Sequence, residues 1–259
     1  MDQERDDQQC TENMSRRQLM KVTAAGLAVF AADNLSERIP EAFASTKTPE
    51  TPMNVLLING SPHKYGCTFT GLSEVAVALE NNGVKTRVIH TGTDVHDCTA
   101  CNSCQKTGYC VFTDDGVNEA IDLLKQADGL VVGTPVHFAA PSGSICSFMD
   151  RMFYCKEKPY ALKPAAAVVS CRRGGASATF DRLNKYFTFA AMPVASSNYW
   201  NSIHGYTPED VRKDLEGMQT MRVLGNVMAW MIRSFAAAKA NGVQVPVLET
   251  KVFTDFIRS

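Results

Sequence analysis

Met53-Asn-Val-Leu-Leu-Ile-Asn59, running straight into Gly60-Ser61-Pro62-His63-Lys64-Tyr65-Gly66-Cys67-Thr68, decides how this chain folds. The first seven residues are almost continuously apolar, as a central parallel strand covered on both faces must be. Glycine, serine and proline then break the strand. A stripe of Leu72, Val75, Ala76 and Leu79 predicts a helix over 68–82 with Gly83 as its stop. A strand, a glycine-containing turn and a helix in that order are the start of a βαβ unit.

The alternation continues through the next hundred residues. Val84–His90 reads as a strand nearer an edge. Asp114-Asp115 open a helix to about Gln126, where acidic side chains suit the positive end of the dipole. Gly129–Thr134 (GLVVGT) is a third strand, followed by a proline-rich turn and a helix near 142–154. Pro164–Cys171 (PAAAVVSC) is a fourth strand, Arg172-Arg173-Gly174-Gly175 a tight loop, 178–190 a helix, and Met192–Ser196 a short fifth strand. Alternating strands and helices imply an α/β doubly wound parallel sheet, here with the five-stranded flavodoxin-like order 2-1-3-4-5. In such sheets ligands bind at the carboxyl ends of the strands, and the unusual residues fall there: 61–68, 91–113, 135–142 and 172–175.

The ends of the chain differ from this centre. Ser15-Arg16-Arg17-Gln18-Leu19-Met20-Lys21 precedes a mildly apolar run over 22–32, and Ala42-Phe43-Ala44 offers a small-residue cleavage site. This order resembles a twin-arginine export signal, with Leu19-Met20 where Phe-Leu is commoner. The apolar run is too short to span a bilayer. The expected organisation is a signal over 1–44, a linker over 45–52, an α/β domain over 53–200 and a helical extension over 201–259. The expected location is outside the cytoplasm. In the extension, Thr207-Pro208-Glu209-Asp210 is a helix start. Val211, Leu215, Met218, Leu224, Met228, Met231 and Phe235 then form a stripe, weakened by Gly217 and Gly225, which reads as core packing or as a contact between copies. With 45% apolar residues and a net charge of −1 in 259 residues, the chain has enough for a large core and no basic surface for nucleic acid.

Gly60–Thr68 lies where backbone amides and a helix dipole meet an anion, with the Ser61 and Thr68 hydroxyls as further donors. It lacks both the GK[ST] ending of a triphosphate loop and the GxGxxG of a dinucleotide site, which points to a monophosphate. Gly60-Ser61-Pro62 with Gly66-Cys67-Thr68, Thr134-Pro135-Val136-His137-Phe138-Ala-Ala-Pro-Ser142, and Arg172-Arg173-Gly174-Gly175 resemble the three flavin-contacting loops of the NADPH-dependent FMN reductase family. With the cysteines described next, the likeness is to its iron-sulfur flavoprotein branch. The resemblance implies that Ser61, Cys67 and Thr68 hold the FMN phosphate, that Pro135, Val136, His137 and Phe138 line the isoalloxazine, and that Arg172, Gly174 and Gly175 approach its pyrimidine edge. Cys67 stands where Asn is usual and His137 where Tyr is usual, and a thiol is the poorer hydrogen-bond partner.

Cys98-Thr-Ala-Cys101-Asn-Ser-Cys104, closed by Cys110, puts four of nine cysteines within thirteen residues. Thiolates at this spacing can converge on one centre. Three readings stay open from the residues: a [4Fe-4S] cluster, which the resemblance implies, structural zinc, and metal-free thiols or disulfides, which persist outside the cytoplasm. Cys146, Cys155 and Cys171 read as buried small hydrophobes. Trp200 and His204 border the flavin region or are structural. The implied activity is an FMN-dependent oxidoreductase using NAD(P)H, with the flavin and no side chain as the catalytic group. The alternatives are a cluster-free quinone, azo or nitro reductase, a non-catalytic flavin and iron-sulfur electron carrier, and a metal-binding module with a degenerate flavin site. Partners would be a small molecule or a redox protein, and relatives of this kind form homodimers or homotetramers.

Overall fold

The computed structural model describes residues 52–155 and 160–254. The expected export signal and all of the linker but its last residue lie outside the described residues. Five parallel strands form the sheet: β1 (Asn54–Asn59), β2 (Lys85–His90), β3 (Gly129–His137), β5 (Ala165–Cys171) and β6 (Ser202–His204). Their order is β2-β1-β3-β5-β6, with the two-residue β4 (Ala140–Pro141) pairing antiparallel to the end of β3. Counting parallel strands alone, this is the expected 2-1-3-4-5.

The helices are α1 (Cys67–Asn81), the short α2 (Cys104–Thr107), α3 (Val117–Gln126), α4 (Gly143–Tyr154), α5 (Ala176–Phe189), α6 (Pro208–Lys213) and α7 (Leu215–Ala240). Because strand side chains alternate with period two, each strand feeds two cores. Leu56, Ile58, Leu130, Val132, Ala165 and Ala167 face a layer that includes Ile121, Leu124, Phe148, Met152 and Phe187. Val55, Leu57, Val131, Ala166 and Val168 face Leu72, Val75 and Leu79 of α1 and Met221, Leu224 and Met228 of α7. The continuous apolar runs of the central strands follow from this two-sided burial. β2 keeps several exposed residues, as an edge strand should.

The fifth strand is not where the apolar pattern puts it. Residues 192–196 make one isolated bridge, Val194 with Ala165, and the pairing that continues the sheet is Val169, Ser170 and Cys171 with Ser202, Ile203 and His204. Pro193 cannot donate to a ladder, so the chain crosses the edge once and pairs again further on. The C-terminal stripe resolves into two helices. Met218, Leu224 and Met228 are buried, while Leu215 and Phe235 are exposed. Gly225 is a packing device: a Cβ there would lie 2.6 Å from Ala78 Cβ and 2.8 Å from the Val75 carbonyl oxygen, so its absence lets α7 press onto α1.

α6 begins with a complete capping box, the Thr207 hydroxyl accepting the Asp210 amide and the Asp210 carboxylate accepting the Thr207 amide, both at 3.2 Å. Thr207→Ala is expected to cost about 1 kcal/mol in a urea melt.

Candidate functional site

The first loop leaves β1 at Asn59, which is buried and closes the turn from inside. Its Nδ2 donates to the Lys64 carbonyl at 3.0 Å and its Oδ1 accepts the Ser61 amide at 3.1 Å. Ser61 is also buried. Its Oγ accepts the His63 amide at 3.1 Å, and His90 Nε2 of β2 sits 2.7 Å from its carbonyl oxygen. The turn delivers the chain into α1, whose N-cap Gly66 contributes no side-chain hydrogen bond, so the opening amides are available to an anion. Cys67 is half-buried with Sγ 3.9 Å from the Gly205 carbonyl, and burial pushes its thiol pKa up. Thr68 is buried, its hydroxyl 2.7 Å from that of Ser170 on β5.

The second loop is the β3–β4 hairpin. Phe138 and Ala139 at its tip have φ of 49° and 61°, the left-handed backbone that both central residues of a type I′ turn require. Neither is glycine or asparagine, so the tip is strained, and Phe138 is fully exposed. Pro135 and Val136 are half-buried and His137 is exposed. Ser142 ties this loop to the first: its amide donates to Thr134 Oγ1 at 3.2 Å and its hydroxyl to the Gly60 carbonyl at 2.9 Å.

The third loop follows β5. Arg172, Arg173 and Gly174 are exposed. Gly175 has φ of 89°, and a Cβ there would lie 2.7 Å from Ala139 Cα and 2.8 Å from Val136 Cγ1. A Cβ on Gly174 would meet nothing within 4 Å. Gly175 therefore lets this loop close on the hairpin, while Gly174 borders open space. Thr68 with Ser170, Gly60 with Ser142, and Gly175 with Ala139 join the three loops into one surface at the carboxyl ends of β1, β3 and β5. Asn59 and Ser170 carry no role in the sequence reading, and Ser142 reads there as part of the second loop but not as its tie to the first, although a polar Asn59 at the buried end of an apolar strand is a signal. Trp200 is exposed. His204 is held by Asp214, whose Oδ2 accepts the His204 amide at 2.7 Å and lies 3.4 Å from Nδ1.

The cysteine loop follows β2. Ala100 and Asn102 have φ of 52° and 59°, so the backbone curls twice between Cys98 and Cys104. Cys98, Cys101, Cys104 and Cys110 all line one cavity, walled also by Phe112, Arg151 and Tyr154. Cys98 and Cys101 are exposed and Cys104 and Cys110 half-buried. Hydrogen bonds from the Ser103 amide and hydroxyl favour the Cys101 thiolate, while burial raises the pKa of Cys104. Among the described residues no three acidic, histidine or cysteine side chains are drawn about a single metal-ion position. The donor set still suits a multi-iron centre, with four thiols around one cavity and a cationic wall. Cys155 and Cys171 are buried as expected, whereas Cys146 is only half-buried.

α4 carries the cysteine loop. Ser147, Arg151 and Tyr154, at i, i+4 and i+7, share one face, and each bonds to it. Ser147 Oγ donates to Asp97, Arg151 donates to Cys110, and Tyr154 OH donates to Asn102 Oδ1 at 3.2 Å. Asn118 of α3 clamps the far end, accepting the Cys110 amide at 2.9 Å and donating to its carbonyl at 3.0 Å.

Residues 53–207, which contain all three loops and the four cysteines, match the NADPH-dependent FMN reductase family. The chain belongs to that family. An iron-sulfur flavoprotein of Methanocaldococcus jannaschii is 31% identical over 193 residues, covering 70% of this chain and 98% of the relative. An iron-sulfur flavoprotein of Methanosarcina thermophila is 28% identical over 174 residues, covering 65% and 90%. Among solved structures, RosB with a bound 8-demethyl-8-formylriboflavin-5'-phosphate intermediate superposes with a TM-score of 0.57 at 14% identity, covering 80% of this chain and 94% of that one. The flavodoxin-type, WrbA-like protein of Agrobacterium tumefaciens gives 0.52 at 14%, covering 70% and 98%. At these identities the structural likeness carries the fold, and family membership comes from the sequence match. No helix among the described residues is long and apolar enough to cross a membrane.

Proposed function

We propose that this chain is an exported FMN-dependent oxidoreductase of the iron-sulfur flavoprotein type. In this reading it passes electrons between a reduced donor such as NAD(P)H, FMN, a [4Fe-4S] centre and an acceptor. The observation that carries the reading is the joining of loops 60–68, 134–142 and 172–175 into one surface, with a four-thiol cavity on the next loop of the same sheet edge. FMN, when bound, accepts electrons in pairs and releases them singly, which couples a hydride donor to one-electron acceptors.

The residues have definite tasks in this scheme. The amides opening α1 and the Ser61 hydroxyl offer donors to the phosphate, and Cys67 contributes its amide more than its protonated thiol. Thr68 can donate only if Ser170 donates to it, because the two hydroxyls share one hydrogen bond. Pro135, Val136 and His137 would flank the ring, held in place by the pairing of Val136 with Pro141 and His137 with Ala140. Arg172 and the open space at Gly174 receive the polar edge. Cys98, Cys101, Cys104 and Cys110 supply the four thiolates of the cluster.

The test is an absorbance spectrum with iron and acid-labile sulfide assays on protein purified without oxygen. Flavin bands with about four irons per chain are expected. Flavin without iron would leave a simple FMN reductase, and a colourless protein that takes up no FMN would overturn the reading. Steady-state NADPH oxidation then separates an enzyme from a carrier, which turns over only with its partner. Export is tested separately: Arg16→Lys with Arg17→Lys is expected to keep the protein in the cytoplasm, and export by the double variant would remove the twin-arginine assignment.

A further inference from the structure

Arg151 is the least expected residue in the fold. It sits in the last turn of α4, in Phe148-Met-Asp-Arg151-Met-Phe153, and its side chain is 1% exposed. A guanidinium taken out of water is costly unless all its donors are used. Here they are used. NH2 donates to Asp115 Oδ1 at 3.0 Å and NH1 to Asp115 Oδ2, a paired fork on a carboxylate that is itself 2% exposed. NH1 also reaches the His96 carbonyl at 3.2 Å and NH2 the Phe112 carbonyl at 3.4 Å. The remaining donor, Nε, points at Cys110 Sγ from 3.1 Å. The Phe112 ring, with the guanidinium carbon 5.1 Å from its centroid, covers one side.

A clasp between loop and helix needs only the Asp115 fork and the carbonyl bonds. The Nε contact is a different matter, because it brings a buried N–H of a cation to a sulfur that lines the four-thiol cavity. Hydrogen bonds and positive charge at ligand sulfurs favour the reduced, more negative state of an iron-sulfur centre. Low exposure makes the effect larger, since water is not there to screen it. The carboxylate of Asp115 opposes it from the far side of the same guanidinium.

We propose that Arg151, held in place by Asp115, sets the reduction potential of the centre carried by Cys98, Cys101, Cys104 and Cys110. The proposal rests on the four-thiol reading above. Arg151 is a positioning residue: it touches a ligand sulfur and not the substrate. The pair works as a balanced dial, in which Arg151 raises the potential through its charge and its Nε donor, and Asp115 lowers it by neutralising part of that charge.

Two variants pull the dial in opposite directions. Arg151→Lys keeps a cation against Asp115 and removes the Nε donor. Asp115→Asn keeps the guanidinium and the shape of its partner and removes the opposing charge. In dye-mediated titrations of the loaded protein followed by electron paramagnetic resonance, Arg151→Lys is expected to lower the midpoint. The shift should equal at least a tenfold change in the oxidised-to-reduced ratio, about 59 mV for one electron. Asp115→Asn is expected to raise it. Iron content and thermal melting of each variant are read alongside.

Midpoints that move in the same direction, or that stay at the wild-type value while four irons are retained, would reduce Arg151 to a mechanical clasp and overturn the proposal. Loss of iron from Arg151→Lys with an unmoved midpoint in Asp115→Asn would overturn it equally. Wild-type protein that holds no iron after anaerobic reconstitution would instead remove the four-thiol reading, and this proposal with it.

Discussion

Serine in place of Cys104 is expected to bring iron in anaerobically purified protein from about four per chain to fewer than one, with flavin content kept close to one. Cys104 is held by both its backbone and its side chain. It opens the short helix α2, its carbonyl accepts the Gly108 amide at 3.0 Å, and its side chain packs on the core layer that holds Phe148 and Met152. A hydroxyl there cannot move outward to be replaced by another group. The control lies next to it: Cys155 is buried in the same layer, does not line the cavity, and its pKa is pushed up to about 12, mainly by burial. Cys155→Ala should therefore keep its iron. Flavin and iron falling together in Cys104→Ser would mean that the loop supports the flavin surface as well. Full retention of iron by Cys104→Ser would remove it from the ligand set.

Much of this architecture is legible in the sequence because the central strands are buried on both faces, which leaves unbroken apolar runs at Val55–Ile58, Leu130–Val132 and Ala165–Val169. The loops of the site are legible for a related reason. Each breaks a run with glycine, proline or serine, at the strand ends where a parallel sheet gathers its ligands. What fails is whatever depends on a partner far away in sequence. β6 is three residues long with Ile203 as its single fully buried apolar side chain, so its pattern is weaker than that of 192–196, which forms only one bridge. Nothing local in the sequence marks Arg151 for burial: its partners Asp115 and Cys110, with the His96 and Phe112 carbonyls, all lie thirty-six or more positions away. The Thr68–Ser170 bond is the same case, with 102 positions between its ends. Gly225 looks like a weakness in α7 until α1 is placed against it.

The two adjacent glycines of the third loop should behave in opposite ways. Gly175→Ala is expected to destabilise the flavin-free protein by about 1–3 kcal/mol, because its φ of 89° disfavours any Cβ. The new methyl would also meet the Ala139 backbone at 2.7 Å, an atom that cannot swing aside. Gly174→Ala has neither problem. Its Cβ would project into open space, so the melting of the flavin-free chain should stay within about 0.5 kcal/mol of wild type. If the polar edge of the flavin occupies that space, the same methyl collides with the ligand. FMN affinity, read by quenching of flavin fluorescence on titration, should then fall at least tenfold, about 1.4 kcal/mol. Stability and affinity thus separate at neighbouring positions: one glycine is needed by the fold and the other by the ligand. Wild-type FMN affinity in a stably folded Gly174→Ala would place the flavin elsewhere on the sheet edge. The contact assigned to Gly174 would then have to pass to the Phe138 side of the hairpin, where the ring is fully exposed.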